Sequence, residues 1–452
     1  MSTTTPNLGL IKQTGSEYYS IGVVNANLDM IDRAIGDIWT TVSPKFTVNF
    51  DASTFSSGAN LSYADGLSGL TPLNNSATTG TVNSSMSWGS WQTLENNPYL
   101  KDCYYSVIYG DGEEIKLNPY NLAQGLDGTD RSTLITQENV MFNIPTRYIN
   151  RTASGFTHSR NPAYGDALAH TIDGTVYPYL AIGVYPSVNV SSVAKSVSGV
   201  KPSASINRTN FRTYSKANGN PSNGVWLQWN WDQAMLIRDM VLMSTLNWDS
   251  QTRIGRGNLS GGNNTNWVVN GLYNSAGLFA GSQSTGAGYG VKSLIENMWG
   301  QCWQFVDDVV TGDTYSDGGY WWKDVWAGQN SSPTITSGET DSGAIVTGDK
   351  RNIGRFVLGA SSGSVSAGWK YASAIGTTNA GWGLSSATGG STSSYTFDGY
   401  YTAANTSTTA RNCLVGGASA DASSAGVSAL AFSYTVSTSA WPSGSRLAFV
   451  HS

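Results

Sequence analysis

The chain is poor in charge, in cysteine, in histidine and in long apolar runs, and each shortage removes a class of function. Asp, Glu, Lys and Arg make up 12% of its 452 residues, roughly half the usual share of about 25%. The net charge is −5, with no block of Lys or Arg, so a phosphate-neutralising surface is not expected and no nucleic-acid motif is present. No apolar run reaches the roughly 18 residues that a membrane span takes, so no membrane insertion is expected. The opening Met1-Ser2-Thr3-Thr4-Thr5-Pro6-Asn7 has neither a basic nor an apolar segment, which reads as no secretory leader. Cys103, Cys302 and Cys413 form no Cys-x-x-Cys and sit among apolar neighbours, so they read as buried free thiols. His158, His170 and His451 show no ligand spacing, so no metal and no cofactor is expected from them.

Short polar residues and aromatics fill the space. There are 52 Gly, 16 Trp, 23 Tyr and 12 Phe, and so many aromatics exclude a disordered chain. The length accommodates two to four domains. Low charge with abundant Ser, Thr, Asn and Gly suits a β-rich surface of the kind virion components carry.

The first 42 residues stand apart. Val24, Leu28, Ile31, Ile35 and Ile38 recur at helical spacing opposite Asn25, Asp29, Asp32 and Arg33, which predicts one amphipathic helix over 23–39. Such a helix has no core of its own and needs copies of itself or a partner. Pro6-Asn7-Leu8-Gly9-Leu10, followed by Asn25-Ala26-Asn27-Leu28-Asp29-Met30-Ile31-Asp32, resembles the short attachment segments that open phage tail and baseplate proteins. The resemblance implies a tail-attachment role for Leu8, Leu10, Leu28, Ile31 and Ile35. Residues 43–93 alternate apolar and small polar positions between Gly, Asn and Ser clusters, which predicts a small β-rich connector.

A third module is expected over 94–452. Asp102 to Tyr109, Val140 to Tyr148 and Tyr179 to Tyr185 read as strands, and the apolar spacing from Trp231 to Leu246 predicts a helix over about 230–246. The stretch Ser293-Leu294-Ile295-Glu296-Asn297-Met298-Trp299-Gly300-Gln301-Cys302-Trp303-Gln304-Phe305-Val306-Asp307-Asp308 reads as central and largely core, with a structural hydrogen-bonding role for Glu296. Together with Asn412 to Gly417 and Gly444-Ser445-Arg446-Leu447-Ala448-Phe449-Val450, it resembles the C-type-lectin-like fold of phage receptor-binding proteins. The variable proteins of diversity-generating retroelements share that fold. The expected class is therefore α+β, β-rich, with a C-type-lectin-like C-terminal module.

In the closing stretch Leu430, Phe432 and Tyr434 alternate with small residues, which predicts a half-buried strand. Leu447, Phe449, Cys413 and Val415 read as its neighbours, and Arg446 as a structural charge pairing with a carboxylate or with carbonyls. The resemblance implies a receptor-binding face at Ala418, Ser419, Ala420, Asp421, Ala422, Ser423, Ser424, Tyr434, Ser437, Ser439 and Trp441. Those loops are small and polar, so aromatics from elsewhere are expected to complete them. Trp321, Trp322 and Trp382 are the first candidates, with Tyr320, Trp326, Tyr395, Tyr400 and Tyr401 beside them.

Catalytic alternatives have weaker support. The fold also hosts a formylglycine-generating oxidase with a redox-active cysteine pair, but Cys302 and Cys413, flanked by Trp299, Trp303 and Leu414, show no other local support for a thiol of lowered pKa. The Glu-Pro-Asn, Gln-Pro-Asp and Trp-Asn-Asp signatures of calcium-dependent sugar binding do not occur in the chain. Asp307, Asp308, Asp313, Asp317, Asp324 and Asp398 read as solvated carboxylates capping loop turns. The expectation is a phage tail fibre or receptor-binding protein at the tail tip or baseplate. It would assemble as a homotrimer, held to tail or baseplate proteins and binding a host cell-surface glycan or protein. A non-binding baseplate or decoration protein, and a surface-glycan depolymerase, are the alternatives.

Overall fold

A computed structural model describes residues 3–4, 11–12, 43–57, 60–75, 82–83, 86–259, 261–262, 264–284, 288–315, 318–324, 350–357, 368–376, 382, 385–402, 411–434 and 437–452. The helix expected over 23–39, with Leu8, Leu10, Leu28, Ile31 and Ile35, lies outside the described residues, as do Trp326 and Asp317. The described chain is α+β and β-rich. Among the described residues no helix is long and apolar enough to cross a membrane.

The apolar runs that read as strands assemble a seven-stranded sheet. Its order is Gly224–Gln228, Leu447–His451, Tyr179–Gly183, Asn139–Pro145, Tyr104–Ile108, Glu114–Asn118 and Asn121–Gly125. Every join is antiparallel. Asn139–Pro145 is buried along its whole length, as expected for a strand covered on both faces. Val140, Phe142 and Ile144 enter the main core, while Met141 joins Ile108, Ala181, Trp226, Leu447 and Phe449 on the other side. Leu447 and Phe449 thus lie in this sheet, not beside Cys413 and Val415. Tyr179–Gly183 and Gly224–Gln228 claim both edges of the Leu447–His451 strand.

The predicted helix runs from Trp231 to Thr245 and all of its residues are buried. Asn230 closes its start: its side chain accepts from the Gln233 N–H at 3.0 Å, and the Gln233 side chain accepts from the Asn230 N–H at 2.9 Å. A helix enclosed on every side must satisfy its polar groups internally. Asp239 does so with Arg151 at 2.7 Å, Arg238 at 3.2 Å and His158 Nε2 at 3.3 Å. Burial alone would push the Asp239 carboxyl up; the Arg151 and Arg238 charges and the His158 hydrogen bond hold it well below its ordinary value.

The boundary expected at residue 93 falls inside one continuous core. Lys45–Phe50 and Leu61–Asp65 share a four-stranded sheet with Tyr148–Thr152 and Gly155–Ser159. Phe50 packs edge-on against Trp248 and Trp382. His158 and His451 lie in strands and His170 in a 3-10 turn, all three buried.

A second large sheet runs through Lys350–Val357, Gly318–Asp324, Trp303–Tyr315, Arg411–Val415, Leu430–Phe432, Gly399–Thr402, Gly368–Ile375 and Ser385–Thr388. Leu430–Phe432, expected to be half-buried, is covered on both faces. Leu430 and Phe432 enter the main core, and Ala431 packs with Trp303, Phe305, Leu414 and Ala418. Asp307 and Asp398, expected in solvent, are also buried. Asp307 Oδ1 accepts from Arg212 Nε at 2.6 Å, which a helix over Arg208–Lys216 brings to it. Burial pushes the Asp398 carboxyl well up, and Asp249 adds to the shift.

Candidate functional site

The last sheet ends in a depression of about 430 Å3, within the size range of small-molecule pockets. Its floor is Ala418 and Ala431, both 1% exposed. Trp303, Tyr401, Tyr434 and Trp441 supply aromatic walls, and Ala420, Ser433 and Pro442 complete the rim. Among the described residues Asp421 is the one charged residue lining it.

Two of the walls, Trp303 and Tyr434, are anchored through the backbone. The Trp303 N–H donates to the Pro442 carbonyl at 2.7 Å, and Trp303 and Gln304 pair in parallel with Ser443 and Gly444. The Asn412 N–H donates to the Tyr434 carbonyl at 2.8 Å, fixing where Tyr434 leaves its strand. Trp369 stacks on Trp303, with centroids 6.2 Å apart, and meets Tyr401 edge-on at 5.4 Å.

The Ala418–Ser424 loop is held as firmly. Gly416 and Gly417 enter it with φ of +92° and +87°, the left-handed region glycine tolerates. A Cβ on Gly416 would sit 2.0 Å from the Met298 carbonyl oxygen. From behind, Gln251 Nε2 donates to the Ala422 and Ala425 carbonyls at 2.9 and 2.6 Å. The Ser419 hydroxyl donates to the Gly261 carbonyl at 2.8 Å, and Ser424 Oγ lies 2.8 Å from the Tyr371 hydroxyl.

Asp421 lies where the loop meets the aromatic walls. Its Oδ2 accepts the Ala418 N–H at 2.6 Å. Burial pushes its carboxyl up to about 6, opposed by that hydrogen bond and by one from the Trp303 side chain. The group is therefore ionised at neutral pH. The Tyr434 phenol is raised by burial first, then by the Asp421 and Tyr401 charges.

Beneath the depression, Arg446 is fully buried. It donates to Gln304 Oε1 at 2.8 Å and to the carbonyls of Gly183, Val184 and Glu296 at 2.7, 2.9 and 2.6 Å. One guanidinium thus ties the seven-stranded sheet to the strand carrying Trp303. The Glu296 carboxylate accepts the Gly271 and Tyr273 N–H groups at 2.9 and 2.8 Å, the structural role read for it.

Of the residues singled out from the sequence, Ala418, Ala420, Asp421, Tyr434 and Trp441 line the depression, and Tyr401 joins them. Ser419 and Ser424 are buried behind it, while Ala422, Ser423, Ser437 and Ser439 are exposed outside its lining. Trp321 and Trp322 lie on the Gly318–Asp324 strand of the same sheet. Trp382 is a correction: at 1% exposure it is core, stacked on Trp248, with its indole N–H donating to the Thr152 carbonyl at 3.0 Å. Trp303, Ala431, Ser433 and Pro442 were not singled out as site residues. Trp303 shares the face of Phe305 and reads as core, and only the arrival of Pro442 beside it opens its edge to the depression.

Burial pushes the Cys302 thiol up to about 12 and the Cys103 thiol to about 11, the opposite of an activated nucleophile. Neither these two nor Cys413 forms a disulfide among the described residues. Among the described residues no group of three or more His, Cys, Asp or Glu side chains is placed to hold a metal ion.

No family model and no curated protein matches the chain. Among solved structures it is similar to the Major Tropism Determinant U1 Variant, with a TM-score of 0.27 and 11% identity, over 77% of this chain and 73% of that one.

Proposed function

We propose that this chain is a recognition protein, the receptor-binding component of a phage tail. In this reading a C-type-lectin-like C-terminal module presents the Ala418–Trp441 depression to the host cell surface. The carrying observation is the depression itself: aromatic walls and one ionised carboxylate, mounted on a strand and loop pinned from behind. Binding sites of this kind sit on rigid scaffolds with few placed polar groups. Among the described residues the depression has a single carboxylate, which favours binding over glycan hydrolysis, a reaction that takes two at defined separation. Attachment to the tail or baseplate through residues 1–42, and assembly as a homotrimer, belong to the same reading. Three copies would convert weak single-site contacts into tight adsorption, a gain of about 10²–10⁴.

Adsorption of the labelled full chain to a panel of bacterial strains tests this. Strain-specific binding, lost in Trp441→Ala and Tyr434→Ala variants whose melting is unchanged, is the expected result. A folded protein that binds no strain contradicts it and favours a structural virion role.

A further inference from the structure

The chemistry of the depression narrows what it takes. Four aromatic side chains, Trp303, Tyr401, Tyr434 and Trp441, line the space with one carboxylate, and among the described residues no Lys or Arg lines it. An anionic group, whether a phosphate, a uronate or a sialic acid, would meet Asp421 with no cation to compensate it. The Ala418 N–H and the Trp303 side chain hold Asp421 from the protein side. An ionised carboxylate offers about four acceptor positions, so others remain for a ligand donor. A neutral hexose would occupy the aromatic walls and leave that charge half-buried and unmatched. An ammonium group matches both features, because it hydrogen-bonds a carboxylate with charge assistance and is attracted to aromatic faces. The volume of about 430 Å3 takes a sugar ring as well as its substituent.

Resting on the recognition reading, we propose that the depression binds a protonated amino sugar of a surface glycan, with its ammonium on Asp421 and its ring against the aromatic walls. The uncharged and acidic sugars of the same surface are discriminated against. Asp421 sets specificity here, and Trp441 and Tyr434 supply the ring contacts.

The test titrates the full chain at pH 7 with glucosamine, glucose, N-acetylglucosamine and Nα-acetyl-lysine methylamide, following tryptophan fluorescence and calorimetry. Glucosamine is expected to bind about tenfold more tightly than glucose or N-acetylglucosamine, the worth of one charge-assisted hydrogen bond. Asp421→Asn, which keeps an acceptor for the Ala418 N–H, is expected to erase that preference while leaving the melting curve intact. Trp441→Ala is expected to weaken all the sugars together. Equal or tighter binding of either uncharged sugar overturns the proposal, as does tighter binding of the lysine derivative or no binding of any probe. In each of those cases the recognition reading still stands if cell adsorption is lost in Trp441→Ala, and falls if no cell is bound.

Discussion

At the scale of single residues, buried ionisable groups dominate the energetics. His158 contacts Asp239 and the Tyr99 hydroxyl, the latter at 2.8 Å from Nδ1, with Arg151 and Arg147 acting on it through charge. Burial holds its imidazole down at about 4, and that of His170 at about 3. In the unfolded chain both take up a proton near pH 6.5. Between those values the unfolded state binds more protons, so stability is present above about 6.5 and is lost as the pH falls toward 4. For His158 the full loss is on the order of 3 kcal/mol. The raised carboxyls of Asp398 and Asp421 act in the opposite sense over the same range, so the histidine share is read by difference: from about pH 7.5 to 4.5 thermal melting should fall more in the wild type than in His170→Gln, and equal profiles contradict the assignment. The sequence carried little of this. Nothing in the sequence around His158 or His170 marks it as buried, because partners such as Asp239 for His158 and the Ile144 carbonyl for His170 lie away in sequence. Arg446 was more legible, since a lone charge in an apolar and small-residue strand must find acceptors, and the structure supplies three carbonyls from two separate segments.

At the scale of elements, legibility followed how much of the signal was local. The Trp231–Thr245 helix announces itself through dense apolar spacing and an Asn-x-x-Gln start. The Arg208–Lys216 helix does not, because Phe211 is the one large apolar side chain on its buried face and Arg208 and Arg212 fill the rest. Those arginines make sense only against Asp307, on a strand distant in sequence. Leu430–Phe432 shows the same limit: alternation of large and small residues marked a strand, but alanine on the second face marked close packing and not solvent. The entry to the Ala418–Ser424 loop makes an element-scale prediction. Gly416→Ala forces a Cβ against the Met298 carbonyl in a left-handed conformation. It should destabilise the protein by at least about 2 kcal/mol. Cell adsorption should weaken beyond that effect, because the loop carrying Asp421 shifts. Denaturant melts paired with adsorption measure both, and a variant unchanged in either would show that the loop is not held as described.

At the scale of the whole molecule, one core spans what the sequence divided. Phe46 and Val450 belong to the same packed cluster, so the segment expected as a separate connector is part of the body that supports the depression. Strand partnership was the least legible property, because a period of two fixes which face a residue takes but not which strand it joins. The central claim is that this body is a rigid support for a recognition face at Ala418–Trp441. The measurement that tests it most directly is a saturation scan of Ala420, Asp421, Ser433, Tyr434 and Trp441, scoring each variant separately for folding and for the set of bacterial strains bound. Substitutions that change or abolish strain choice while leaving folding intact are the predicted result. Strain binding that follows folding alone, with these five positions neutral, would contradict it.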